Sequence, residues 1–219
     1  MFESVRVVGA GRVGSAVAAR LRERGVAVTE TGGELVLLCV PDAAIAGVAR
    51  GLAPGPWVAH VSGATPLSAL DPHERRFSVH PLQTFTLARG AEQLDGASAA
   101  VTGDDDEGRG RGFWLAQTLG LRPFELADEA RPLYHAGAAI ASNYLVTLYR
   151  AAAQLFAAAG APPESLVPLM LRTIENGFEL TGPIARGDWH TVDAHVRAIH
   201  DEVPELEPMY RVLAEATKG

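Results

Sequence analysis

The chain has 219 residues, 47% of them hydrophobic, enough to bury a sizeable core in one or two domains. Its 26 acidic residues outnumber 19 Lys and Arg, for a formal net charge of -7. The basic residues are scattered rather than gathered into a patch, which argues against nucleic-acid or anionic-membrane partners.

The opening MFESVRVVGAG enters a strand-like run without a charged-then-apolar leader. No apolar run approaches the roughly 18 residues that a membrane span needs, so a soluble, uncleaved, cytoplasmic protein is expected. The single cysteine, Cys39, lies inside LVLLCV, where it is expected to pack as a small hydrophobe.

From Val5 to about Leu126, short apolar or β-branched runs alternate with helical patterns, the signature of a mainly parallel sheet covered by helices. VRVVGA, LVLLCV, WVAHV, FSVH, ASAAVTG and LRPFEL are the strand candidates. Arg12–Arg24, Asp42–Leu52, Pro66–Leu70 and Asp104–Leu119 read as helices, the last with an acidic first turn that suits the positive end of a helix dipole. After Asp128 the strand signals stop. An Ala-rich stretch from about Ala130 to Ala159 carries apolar residues at helical spacing and closes on Gly160 and Pro162–Pro163, making a core or dimer spine. Pro163–Leu180, Trp189–His200 and Pro204–Thr217 read as further helices. The expected organisation is an α/β domain over 1–127 and an all-α domain over 128–219.

VRVVGAGRVGSAVAARL sets Gly9, Gly11 and Gly14 in G-x-G-x-x-G spacing, after a strand and at the start of a helix. That context makes the first domain Rossmann-type: Gly9 for the tight turn, Gly11 for backbone approach to a pyrophosphate, Gly14 for helix–strand packing. Arg12 and Val13 complete the phosphate loop. The alternative is a glycine turn with no ligand. Val40, Pro41 and Asp42 end an apolar strand where ligands of open α/β sheets sit, although Asp42 would equally serve as a helix cap.

Between VAV (Val26–Val28) and LVLLCV lie only Thr29–Glu34, whereas a parallel crossover takes about 10–12 residues or more. The usual second crossover is therefore absent. VAV either pairs with LVLLCV in a hairpin turning at Thr31–Gly33 or, the favoured reading, is a non-strand part of the return from the first helix. Glu30, 21 residues after Gly9, has the spacing of the acid that accepts from a ribose hydroxyl, a role that would favour NAD over NADP. Without a standard second strand that spacing would be accidental.

HPLQTF (His80–Phe85), YHAGAAIASNYLVTL (Tyr134–Leu148) and LTGPIARGD (Leu180–Asp188), with the GAGRVG opening, closely resemble an uncharacterised bacterial family of Rossmann-like, NAD(P)-dependent oxidoreductase-type proteins. The resemblance covers nearly the whole chain. It implies a C-terminal domain of unknown function, related to the helical domain of 6-phosphogluconate dehydrogenase, and homodimers with interlocked helical domains. Members usually carry fuller second and third βα units, of which about one is missing here. The β-hydroxyacid branch of the superfamily uses a Lys four residues before an Asn; this chain has Asn143 but Ala139.

With the lysine absent, other groups must supply the chemistry. His135 and Ser142 are seven residues apart, near one face of an α-helix, with Asn143 beside them. Histidine is the side chain suited to proton transfer near neutral pH, which makes His135 a candidate; its alternative role is to bond the helix or facing domain. His80, with Gln83 behind it, and Ser62 fall at the carboxyl edge of the sheet and would contact substrate or merely hold loops and caps. Arg186 would bind a substrate carboxylate or phosphate, or else pair with Asp188. His60, His80 and His135 converge only in the fold, and without HExxH or a Cys partner no metal site is expected. The expected protein uses NAD or NADP to oxidise or reduce a small, anionic molecule at an interdomain cleft. Its alternative is a non-catalytic or altered-ligand dimer that has lost dinucleotide binding.

Overall fold

A computed structural model describes residues 1–218. Two compact units divide between Ala139 and Ile140.

The first unit is built on a seven-stranded sheet: β1 (Ser4–Val8), β2 (Ala27–Thr29), β3 (Leu35–Leu38), β4 (Trp57–His60), β5 (Arg76–Leu82), β6 (Ser98–Gly103) and β7 (Arg122–Glu125), in the order β2-β1-β3-β4-β5-β6-β7. Every pair is parallel except β5–β6. Around it lie α1 (Arg12–Glu23), α2 (Asp42–Arg50), α3 (Asp106–Thr118) and α4 (Arg131–Ala139). The sheet is buried on both faces because successive strand residues point to opposite sides. Leu35 and Leu37 join Val17, Leu21 and Leu115 in one core cluster, while Val36 and Leu38 join Ile45 and Ala49 in the other.

The short connection resolves differently from either expectation. Ala27–Thr29 is a strand, but it pairs parallel with β1 and not with LVLLCV. β2 and β3 flank β1, so the link crosses only two strand spacings, about 10 Å. β2 stops opposite Arg6 and β3 starts opposite Val5, so the five residues Glu30–Glu34 reach without a helix. Gly32 and Gly33, at φ 70° and 99°, make the reversal. A Cβ on Gly33 would lie 3.2 Å from Arg6 N and Thr29 Oγ1, so the link passes against β1. One crossover is missing, yet the second strand survives.

α4 continues into a π turn (Ile140–Tyr144), which begins the second unit, and then α5 (Leu145–Ala158). The expected single α-helix is thus interrupted. α6 (Leu166–Glu175) ends earlier than the sequence pattern suggested because Gly177 and Phe178 take left-handed φ of 69° and 63°. The short α7 (Gly182–Ala185), α8 (Trp189–Glu202) and α9 (Glu207–Ala216) follow. Val192, Val196 and Ile199 of α8 are buried within this unit, but Leu169 and Leu171 of α6 and nearby Phe178 are exposed. Among the described residues, no helix is long and apolar enough to cross a membrane.

Candidate functional site

The glycine loop follows β1. A Cβ on Gly9, whose φ is 110°, would fall 2.4 Å from the Cys39 carbonyl oxygen, and one on Gly14 would fall 1.9 Å from that of Gly9. Both positions need glycine for close packing. A Cβ on Gly11 would meet nothing within 4 Å, leaving the backbone approachable from outside. Gly11 caps α1 without a side-chain bond, and no acidic residue fills the first turn. The amides of Arg12, Val13 and Gly14 therefore open an anion-binding helix end. These residues fit a dinucleotide pyrophosphate.

A cavity of about 370 Å³ extends from the loop, lined by Gly9, Gly14, Ser15, Ala18, Arg22 and Glu30 among others. Glu30 directly follows β2, so its spacing from Gly9 corresponds to a real second strand. Val40 packs on the core, while exposed Pro41 and Asp42 open α2. Asp42 is the first helical residue and makes no capping bond there, so its alternative role as cap is not realised. Cys39 packs beside Gly14, and burial pushes its thiol up to about 12, consistent with a packing role.

The second group of candidates arises from strand register. His60 ends β4 opposite Ser78, whereas β5 continues to Leu82, so His80 stands two residues beyond the end of its neighbour. Ser78 and His80 share one face of β5, and Arg131 and Tyr134 share one face of α4. The two pairs meet: Arg131 donates to Ser78 Oγ, and Tyr134 Oη lies 2.7 Å from His80 Nδ1. The His135 ring centroid is 6.3 Å from that of His80. A Cβ on Gly63 would lie 2.9 Å from His80 Nε2 and 3.0 Å from His135 Cδ2, so the main chain passes close against both rings.

Arg131 is only 1% exposed and is held by Asp128 at 2.7 Å and the Ser62 carbonyl at 3.0 Å. Asp128 also accepts from Leu67 N. These bonds tie α4 to the first unit, although its sequence texture resembles that of the later helices. Burial, reinforced by Arg131 and His80 and opposed by the Pro66 backbone, pushes His60 down to about 3; its Nδ1 accepts from Ser62 N. Burial also pushes His80 down to about 4, with His135 and Arg131 acting in the same direction and Asp42 in the opposite one. Tyr134 is pushed up to about 12 by burial. At neutral pH this edge presents a neutral phenol bonded to a neutral imidazole.

Other expected contacts take different parts. Ser62 is buried, and its hydroxyl bonds Thr65 Oγ1, Ala64 N and Thr65 N, which holds the turn after β4. Gln83 donates to the Gln93 carbonyl and accepts from Thr84 N, so it also holds its loop. Buried Gln93 organises that loop through Thr86, Arg89 and Gly90, a role missed in the sequence. In the second unit Ser142 donates to Asn143 Oδ1 at 3.0 Å within the π turn. Asp188 caps α8 through Thr191, whose bonds hold its carboxyl below the usual range, with the Arg186 charge acting in the same direction. Among the described residues, no cluster of three or more His, Cys, Asp or Glu is arranged to hold a metal ion.

A search of curated proteins found no match. Several solved structures share the fold. The "putative NADP oxidoreductase BF3122" from Bacteroides fragilis matches with a TM-score of 0.82 at 21% identity, over 99% of this chain and 98% of that one. Protein TM1727 from Thermotoga maritima matches at 0.73 and 24%, over 98% of this chain and 100% of that one. The 1-pyrroline-5-carboxylate reductase of Streptococcus pyogenes matches at 0.62 and 14%, over 98% of each chain. At such identities the likeness establishes the fold, a Rossmann-like sheet with a helical C-terminal region. A family model described as a domain of unknown function (DUF2520) matches residues 97–217, more than half of the chain, and the protein belongs to that family.

Proposed function

We propose that the protein is an NAD(P)-linked oxidoreductase acting on a small molecule. The observation that carries this reading is the first-unit arrangement: an open glycine loop and helix end beside a sheet edge with Asp42, His80 and His135. Gly9, Gly11, Arg12, Val13 and Gly14 would hold the pyrophosphate, with Val40, Pro41 and Asp42 edging the same crevice. The cofactor would supply or receive a hydride; His80 and His135 are the proton-handling candidates on this edge. From the second unit the reading takes Asn143 as an orienting amide and Arg186 as the partner of an anionic substrate group. Glu30 at the end of β2 favours a free ribose hydroxyl, hence NAD, over a 2′-phosphate.

The exposed apolar residues of α5 and α6 fit a homodimer, because monomers rarely leave so many large side chains in water. The missing crossover supports a second reading, a dimer whose altered first unit no longer takes a dinucleotide.

Titration with NADH and NADPH, followed by nicotinamide fluorescence, separates the two readings. Saturable binding, tighter for NADH and abolished by Gly11→Asp, is expected. Absence of binding by either nucleotide at millimolar concentration would reject the oxidoreductase and leave the second reading.

A further inference from the structure

Tyr134 lies one residue before His135 and has the more specific geometry. Its hydroxyl is 2.7 Å from His80 Nδ1, and its ring meets the edges of His80 at 5.6 Å and Phe124 at 6.0 Å. The ring is thus fixed on two sides. His80 is fixed in turn by its strand and by the close passage of Gly63. Asp42 and His135 are the other titratable groups facing this pair, with Arg131 and His60 buried behind it. Arg131 is committed to Asp128, Ser62 and Ser78.

We infer that Tyr134 is the proton donor of this site, oriented by His80, and that the reacting group is a carbonyl or imine which the site reduces. The inference rests on the nucleotide-linked reading above and adds to it the direction and the substrate class. A phenol bonded from behind by Nδ1–H directs its own hydrogen outward, towards a carbonyl oxygen or imine nitrogen. A bound reduced nicotinamide would supply the hydride for the new C–H bond. As the C=O or C=N π bond breaks, its electron pair takes the Tyr134 proton. The tyrosinate left behind accepts from His80 Nδ1–H and regains its proton from water. The phenol bonded to His80 is poised to donate its hydrogen, the proton step that accompanies reduction. In this arrangement Tyr134 is the catalytic group and His80 is a positioning residue.

The full chain labelled with 15N-histidine provides a readout that needs no substrate. The His80 resonance is expected to show the Nδ1–H tautomer and to remain neutral at pH 5, with Tyr134→Phe releasing it to a mixture of tautomers. Dominance of the Nε2–H tautomer would mean that Tyr134 spends its proton on His80, and the inference would fall. For turnover, NADH consumption is followed with 1-pyrroline as the imine probe and pyruvate as the carbonyl probe. Reduction of at least one is expected, with Tyr134→Phe about 100-fold slower in kcat and its NADH affinity unchanged. His80→Gln should lower kcat less and alter its pH profile. If a reduced nucleotide binds but neither probe is reduced with it, or Tyr134→Phe turns over like wild type, the inference fails alone; if neither NADH nor NADPH binds, the oxidoreductase reading fails with it.

Discussion

The two units use apolar residues in opposite ways. In the first, Leu35, Leu37 and Leu38 are fully buried between sheet and helices, and even the charged side chains of Arg20 and Arg131 are enclosed with partners. In the second, Leu169 of α6 is 61% exposed and Phe178 is 72% exposed. The first unit closes a sheet core within one chain, while the exposed residues of the second fit the homodimer proposed above, in which case its stability would depend on protein concentration.

Arg131→Met should break this contrast most severely, because it leaves Asp128 without its buried partner and removes the link from α4 to Ser62 and Ser78. A loss of about 3–5 kcal/mol is expected in urea denaturation. Leu37→Ala follows, at about 2–5 kcal/mol, because the sheet cannot collapse around the hole.

Acid should act on the first unit through its depressed imidazoles. The unfolded chain takes up protons near pH 6.5, whereas His80 and His60 resist them until about 4 and about 3. Their contribution is therefore complete above pH 6.5 and falls on acidification towards those values, by up to about 1.4 kcal/mol per pH unit for each group. Urea midpoints measured from pH 8 to 5 should show this slope, and His60→Gln should flatten it relative to its own value at pH 8.

The smallest effect on folding is expected in the second unit. Leu169→Ser should change monomer stability by no more than about 0.5 kcal/mol while shifting self-association towards monomer in light scattering. A large loss of monomer stability with unchanged mass would remove the distinction between the units.

The strands of the first unit were legible where the chain spells an apolar run, as at LVLLCV, because burial on both faces demands it. β2 was not: three residues carry too little pattern, and only pairing with β1 defines them. The end of α6 was marked by Asn176–Gly177, a turn dipeptide hidden by the helical apolar spacing on either side. The π turn carries no comparable local signal, since it arises from a shift in backbone bonding. At the candidate site, His80 was legible from its place after a strand, but Tyr134 was overlooked beside His135. The i, i+3 spacing of Arg131 and Tyr134 held the clue, yet it gained meaning only when matched to Ser78 and His80 across the sheet. For Ser62 and Gln83 the hydrogen bonds that hold their turn and loop were not legible in the sequence, because they depend on where Thr65 and Gln93 fall in the fold.

Gly63 separates geometry from chemistry at that edge. Its missing methyl group sets how closely the turn after β4 can approach two imidazoles. Gly63→Ala would add one carbon without changing a charge, a donor or an acceptor. Because the rings and not the backbone must yield, the substitution acts as a wedge against His80, and the response of the Tyr134 contact would measure how stiffly the pair is mounted.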